Sequence, residues 1–170
     1  MRTDFVSREN LGHILAALTR ENALAIRVSM ATGLRIGDVL QLKPEQVIPD
    51  KVRFTIKEQK TGKSRTVYLP KALREECFQN AGRFWVFEHR LDRKKHRTRQ
   101  AVFKDMKRSA KAFRIAGHIA PHSARKMFAV EFFQKCGDLG KVKKLLNHSS
   151  EAVTYIYAMA DVLTSKKHRS

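Results

Sequence analysis

Residues 51–69 read KVRFTIKEQKTGKSRTVYL. In this stretch Val52, Phe54 and Ile56 alternate with polar residues, and residues 66–69 (TVYL) alternate again. Between them Lys60-Thr61-Gly62-Lys63 has the composition of a turn. Period-two patterning on both sides of a Gly-containing turn predicts an antiparallel β-hairpin.

On either side the apolar spacing is helical. Upstream, Ser7 is placed to cap a first helix carrying Leu11, Ile14, Leu15 and Leu18 on one face. A second helix is expected over 22–32, stopping at Gly33, the residue type that best accepts a left-handed helix end. A short third helix over 35–42 puts Ile36, Val39 and Leu40 on its apolar side, and Pro44 ends it or begins another turn. Downstream, Pro70 suits the first turn of a helix reaching about residue 79. Residues 84–87 (FWVF) are a strand or a buried connection. Thr98 caps a helix with Val102, Phe103, Met106, Ala110 and Phe113 on one side. Pro121 precedes a helix over 122–135 closed by Gly137, and 139–146 forms a short helix with Val142, Leu145 and Leu146 inward. Ser149 or Ser150 caps a last helix to about residue 160, before a polar, basic tail. With no internal repeat, low-complexity tract or linker, the expected architecture is one domain over 1–170, mainly α with a small antiparallel β-sheet (α+β).

Composition narrows the function. The chain has 170 residues, 42% apolar and 30% charged, which suits a globular protein. Lys and Arg number 35 against 16 Asp and Glu, a formal charge of +19. Such an excess points to a polyanion, nucleic acid before an anionic membrane surface. No apolar run approaches the ~20 residues of a membrane span, and the N-terminal residues have no apolar signal core. A cytoplasmic protein with reduced thiols is expected. Cys77 and Cys136 are the only cysteines and cannot form a CxxC pair, which excludes a zinc finger. The absence of GxxxxGK[ST] argues against a P-loop ATPase.

Four polar clusters can carry chemistry. In Thr32-Gly33-Leu34-Arg35-Ile36-Gly37-Asp38, Arg35 follows a glycine break and Asp38 lies three residues on, on the same helical face. Lys60 sits on the hairpin turn. His122 and Arg125 share a face immediately after Pro121, where both can donate to one anion. His148 sits at a helix junction ahead of Tyr155 and Tyr157. Each cluster alone also suits a structural role, as a surface ion pair, a solvated lysine or a capping histidine. Together they suit cleavage of a phosphodiester without metal. Arginine forks bind non-bridging phosphate oxygens and offset charge in the transition state. A tyrosine can attack, and lysine or histidine can protonate the leaving alkoxide. With no acidic or histidine cluster at metal-ligand spacing, a two-metal nuclease is disfavoured and no cofactor or metal is expected.

In order and together, these boxes resemble the catalytic domain of the tyrosine recombinases, the phage integrase family. TGLRIGD resembles the family's first arginine box and QKTGKSRTVYLP its lysine-bearing hairpin. HSAR resembles its His-x-x-Arg box, and LNHSSEAVTYIY its closing His…Tyr segment. The resemblance runs from Arg35 to Tyr157. It implies that Arg35 and Arg125 clamp the scissile phosphate and that Lys60 is the general acid for the 5′-oxygen. It further implies that His122 assists proton transfer at the tyrosine, that His148 donates to the phosphate, and that Tyr157 attacks to give a 3′-phosphotyrosyl link. The family's tyrosine follows that histidine by nine positions, which selects Tyr157 over Tyr155. Asp38 falls at the family's supporting acidic position.

Departures are Asn147 where the family commonly has Gly, and Ala124 where it has Leu. The first arginine box begins near residue 32, leaving no room ahead of it for the N-terminal helical domain that family members usually carry, so the chain is a minimal enzyme or a fragment. The implied function is site-specific DNA recombination. The alternatives are a DNA-binding module of the same fold and a type IB topoisomerase-like nicking-closing enzyme. The implied partner is double-stranded DNA, with a monomer in the free state, a tetramer on DNA and no membrane. The run 89–99 (HRLDRKKHRTR) supplies Arg90, Arg93, Lys94, Lys95, Arg97 and Arg99 as candidate backbone contacts, or a solvated loop.

Overall fold

The structure, a computed structural model, describes residues 6–146. Its elements are α1 (Arg8–Ala17), α2 (Arg20–Thr32), α3 (Ile36–Val39), a 3-10 turn (Pro44–Gln46), β1 (Arg53–Lys57), β2 (Ser64–Tyr68), α4 (Lys71–Gln79), α5 (Arg99–Ala112), α6 (Pro121–Cys136) and α7 (Leu139–Leu146). The expected class, mainly helical with one small antiparallel sheet, is the class observed.

Helix ends follow local chemistry. Ser7 Oγ accepts from the Asn10 N–H at 3.1 Å and Thr98 Oγ1 from the Ala101 N–H at 3.1 Å, each satisfying an orphan donor of a first turn. Gly33 (φ 66°) and Gly137 (φ 64°) end α2 and α6 in the left-handed conformation.

Three details depart from expectation, and at residues 84–87 one of two expected alternatives is found. Helix α2 starts at Arg20 because Thr19, its N-cap, turns its hydroxyl and N–H onto Asp105 Oδ2 (3.2 and 2.9 Å) and anchors the helix to α5. Helix α3 is only four residues long. Arg35 is extended (ψ 144°), and after Val39 the bonding tightens, with Gln41 N–H to Asp38 O and Leu42 N–H to Val39 O spanning three residues. Residues 84–87 are a connection, not a strand: Val86 and Phe87 are buried, and the Val86 N–H donates to Leu42 O. Phe113 caps α5, where Arg114 (φ 53°) turns the chain away, and its ring is exposed instead of joining the apolar stripe. The expected last helix and tail lie outside the described residues.

The core is built around α2, whose Leu24, Ala25, Ile26 and Val28 are fully buried. Helix α6 packs against α2 and also touches α5 and α7. Enclosed on several sides, it buries Ala124, Met127, Ala129 and Val130 together with polar Ser123 and Arg125. A second cluster, Ala129, Val142 and Leu146 with Phe128 and Phe132, joins α6 to α7. The hairpin pairs Phe54 with Val67 and Ile56 with Arg65. Its inner face seals the core, and its turn projects toward the start of α3.

Candidate active site

A cavity of about 560 Å³ opens where the start of α3, the hairpin turn, the start of α5 and the start of α6 converge. Arg35, Asp38, Lys60, His122 and Arg125 line it, with Gln59, Arg99, Gln100 and Phe103. Three sequence boxes that are far apart in the chain thus deliver one arginine, one lysine, and a His/Arg pair to one wall.

Each delivery has a local cause. Gly33 ends α2 and leaves Arg35 extended as the N-cap of α3. Pro121 fixes the first turn of α6, so His122 and Arg125, one helical turn apart, face the same way. Arg125 is 1% exposed, and its Nη2 donates to the Leu146 carbonyl oxygen at 2.7 Å. Lys60 is exposed on a turn closed by the Gly62 N–H to Glu58 O bond (2.8 Å), with Gly62 left-handed at φ 66°.

Two buried carboxylates support the cations. Asp38 Oδ1 accepts from the Gln59 N–H at 3.0 Å, pinning the hairpin turn to α3. Burial pushes the Asp38 carboxyl above its ordinary pKa. The neighbouring Glu58 adds to this, and the Gln59 bond and the charges of Arg35 and Arg125 only partly offset it. Glu58 Oε2 accepts from Arg35 Nη1 at 3.1 Å and from Thr61 Oγ1 at 3.0 Å, while Oε1 lies 3.5 Å from Arg65 Nη1. Burial would raise its pKa, but the Thr61 hydrogen bond and the charges of Arg35, Arg65 and Arg125 outweigh it, and Glu58 is held below the ordinary value. Three guanidiniums against two carboxylates leave this region cationic, and Lys60 at the mouth adds to it. A low-dielectric cationic site of this kind favours a tetrahedral oxyanion.

The sequence puts Asp38 on the helical face of Arg35, where a carboxylate can hold a guanidinium. Asp38 is close enough to feel Arg35, but Glu58 makes the 3.1 Å ion pair. Glu58, Thr61 and Arg65 were missed, although a signal was present. Glu58 continues the inward phase of Phe54 and Ile56, and Arg65 shares the inward phase of Val67.

The basic run divides three ways. Arg90, Arg93, Lys94 and Lys95 are exposed, with Lys95 3.1 Å from Asp92. Arg97 turns inward, 3.5 Å from Glu21, and donates to Asn22 Oδ1. Arg99 lies across Gly37, where a Cβ would come within 3.2 Å of its Cδ, and lines the cavity. His148 and Tyr157 lie outside the described residues.

The fold is one already seen in recombination proteins. A lambda integrase dimer bound to a core site superposes with a TM-score of 0.77 at 18% identity, covering 92% of this chain and 60% of that one. The catalytic domain of bacteriophage HP1 integrase superposes with a TM-score of 0.65 at 21% identity, covering 92% and 89%. The sequence model described as the phage integrase family matches residues 4–163, and the chain belongs to that family. Among its relatives, the integrase of Escherichia phage P2 is 28% identical over 156 residues, 92% of this chain and 43% of that protein. The tyrosine recombinase XerA of Thermococcus kodakarensis is 24% identical over 166 residues, 92% and 58%. The chain thus spans about half the length of these two curated relatives. No helix among the described residues is long and apolar enough to cross a membrane.

Proposed function

We propose that this chain is the strand-cutting and rejoining domain of a site-specific DNA recombinase. The observation that carries the proposal is the single cavity shared by Arg35, Lys60, His122 and Arg125. Arg35 and Arg125 bind the non-bridging oxygens of the scissile phosphate and offset the charge that grows in the transition state. The Tyr157 hydroxyl attacks phosphorus and passes its proton to His122, while His148 donates to a phosphate oxygen. As the new P–O bond forms, the bond to the 5′-oxygen breaks, and Lys60 protonates that oxygen. The product is a 3′-phosphotyrosyl enzyme and a free 5′-hydroxyl. Attack by a 5′-hydroxyl from another strand reverses the sequence and exchanges the strands.

The exposed cations Arg90, Arg93, Lys94 and Lys95, with Arg99 at the cavity, bind duplex backbone phosphates. The protein works in the cytoplasm, is a monomer when free and acts as four copies on DNA. A lambda integrase of the same fold has been seen as a tetramer bound to a Holliday junction.

The test uses a library of nicked duplexes with randomised centres, incubated with the protein and run on a denaturing gel. A covalent protein–DNA adduct is expected from the wild type and from Tyr155→Phe, and none from Tyr157→Phe. An adduct that survives Tyr157→Phe overturns the assignment.

A further inference from the structure

Glu58 lies between two segments that line the cavity, bonded to Arg35 on one side and to Thr61, next to Lys60, on the other. It is fully buried, yet its contacts reach three separate segments. Oε2 holds Arg35 Nη1 and Thr61 Oγ1, Oε1 faces Arg65 Nη1, and Arg65 Nη2 donates to the carbonyl oxygen of Thr32. Thr32 is the last residue of α2, three positions before Arg35. The backbone of Glu58 also begins the turn: its carbonyl accepts from the Gly62 N–H at 2.8 Å and its N–H donates to Lys63 O at 3.0 Å. One side chain therefore spans the α2–α3 junction that carries Arg35 and the turn that carries Lys60.

We propose that Glu58 is a positioning residue that registers the Lys60 turn against Arg35, so that a phosphate held by one meets the proton donor on the other. The inference rests on the strand-transfer reading above. A carboxylate retained only for packing does not need two guanidiniums and a hydroxyl, and burying a charge is costly unless its partners are fixed in place. Full burial keeps water from competing for those partners, so the geometry survives when DNA arrives. Thr61 is the link to the turn alone: its hydroxyl ties Glu58 to the residue next to Lys60 and touches neither arginine in the bonds described.

The charge makes a distinctive signature. Removing the carboxylate's negative charge adds net positive charge beside the phosphate site, so DNA affinity should hold or rise while the chemical step slows. A variant that merely loosens the fold loses both.

The experiment compares wild type, Glu58→Gln, Glu58→Asp and Thr61→Val on the randomised nicked-duplex library. Adduct rate, duplex affinity by fluorescence anisotropy and, in the free protein, the guanidinium N–H resonances of Arg35 and Arg65 are measured. Glu58→Gln should slow adduct formation about 100-fold, the scale of a misplacement near 1 Å, with affinity equal or tighter. Glu58→Asp, which keeps the charge, should recover part of that loss. Thr61→Val should slow cleavage about tenfold on ordinary DNA, and a sulfur leaving atom at the 5′ position, which needs little protonation, should restore it. The Arg35 resonances should broaden or exchange faster in Glu58→Gln without any DNA present. Rates within about twofold of wild type in both Glu58→Gln and Thr61→Val would overturn the proposal, as would parallel losses of rate and affinity. If Glu58→Gln does not fold, Thr61→Val with the sulfur substrate decides. If wild type forms no adduct, the strand-transfer reading fails, and the Arg35 resonances alone then support or overturn the positioning role.

Discussion

Gly33 lies where the end of α2 meets α6, and replacing it with alanine tests how the arginine box is held. Its φ of 66° is unfavourable for a side chain, and an added Cβ would sit 2.5 Å from both Cδ1 and Cε1 of Phe128. The backbone share of the cost is about 1–2 kcal/mol for a left-handed alanine. The steric share is about 1–3 kcal/mol, because the Phe128 ring, stacked on Phe132 at 5.9 Å, must swing away from its neighbour. Gly33→Ala should therefore destabilise the protein by about 2–5 kcal/mol in urea unfolding. A double-mutant cycle separates the shares. In a Phe128→Ala background the ring is gone, and Gly33→Ala should cost only the backbone share, leaving a coupling of about 1–3 kcal/mol. The same loss in both backgrounds would refute the steric argument, and a loss below about 1 kcal/mol in wild type would refute the conformational one. Because Arg35 is two residues away, the single variant should also lose adduct formation, and Phe128→Ala should regain part of it for Gly33→Ala.

Four other outcomes are expected. Burial would raise the pKa of Asp105, but hydrogen bonds from Arg108, Asn22 and Thr19 outweigh it and hold the carboxyl below its ordinary 3.8. Its stabilisation is complete above that value and is lost as pH falls through the lower folded-state pKa, so Asp105→Asn should flatten the acid limb of the stability–pH curve measured by urea unfolding. Arg97→Ala should lower stability by about 1 kcal/mol through its lost contacts to Glu21 and Asn22. Arg90→Ala and Arg93→Ala should leave the melt unchanged and make the salt dependence of DNA binding shallower; the opposite pattern would reverse the division of the basic run. A 5′-bridging sulfur should rescue cleavage by Lys60→Ala but not by Arg35→Ala, and equal rescue of both would show that Lys60 acts only through its charge.

Much of the architecture was readable before the structure because the signals were local. Alternation around Lys60-Thr61-Gly62-Lys63, the caps Ser7 and Thr98, and the stops Gly33 and Gly137 depend on neighbours a few residues away. The departures come from distant partners. Thr19 was passed over because Asp105, eighty-six residues on, captures its hydroxyl. Arg97 looked like its exposed neighbours because its role depends on Glu21 and Asn22, far back in the chain on α2. Glu58 was overlooked because it is a charged residue that continues the inward phase of β1 into the turn, a choice that makes sense only once Arg35 and Arg65 are seen beside it. The convergence of Arg35, Lys60, His122 and Arg125 was expected from resemblance, since no spacing rule brings a hairpin turn to the start of α6.

The bond from Arg125 to Leu146 changes how variants of that arginine must be read. Leu146 closes α7, and the stretch bearing His148 and Tyr157 follows directly in the chain. The guanidinium thus also acts as a tether on the end of α7, from which the chain continues to the proposed nucleophile. Supplying free guanidinium to an Arg125→Ala protein can return a positive charge to the cavity but cannot retie that helix end. Incomplete chemical rescue would then measure the mechanical share of the residue's work, separately from its electrostatic share.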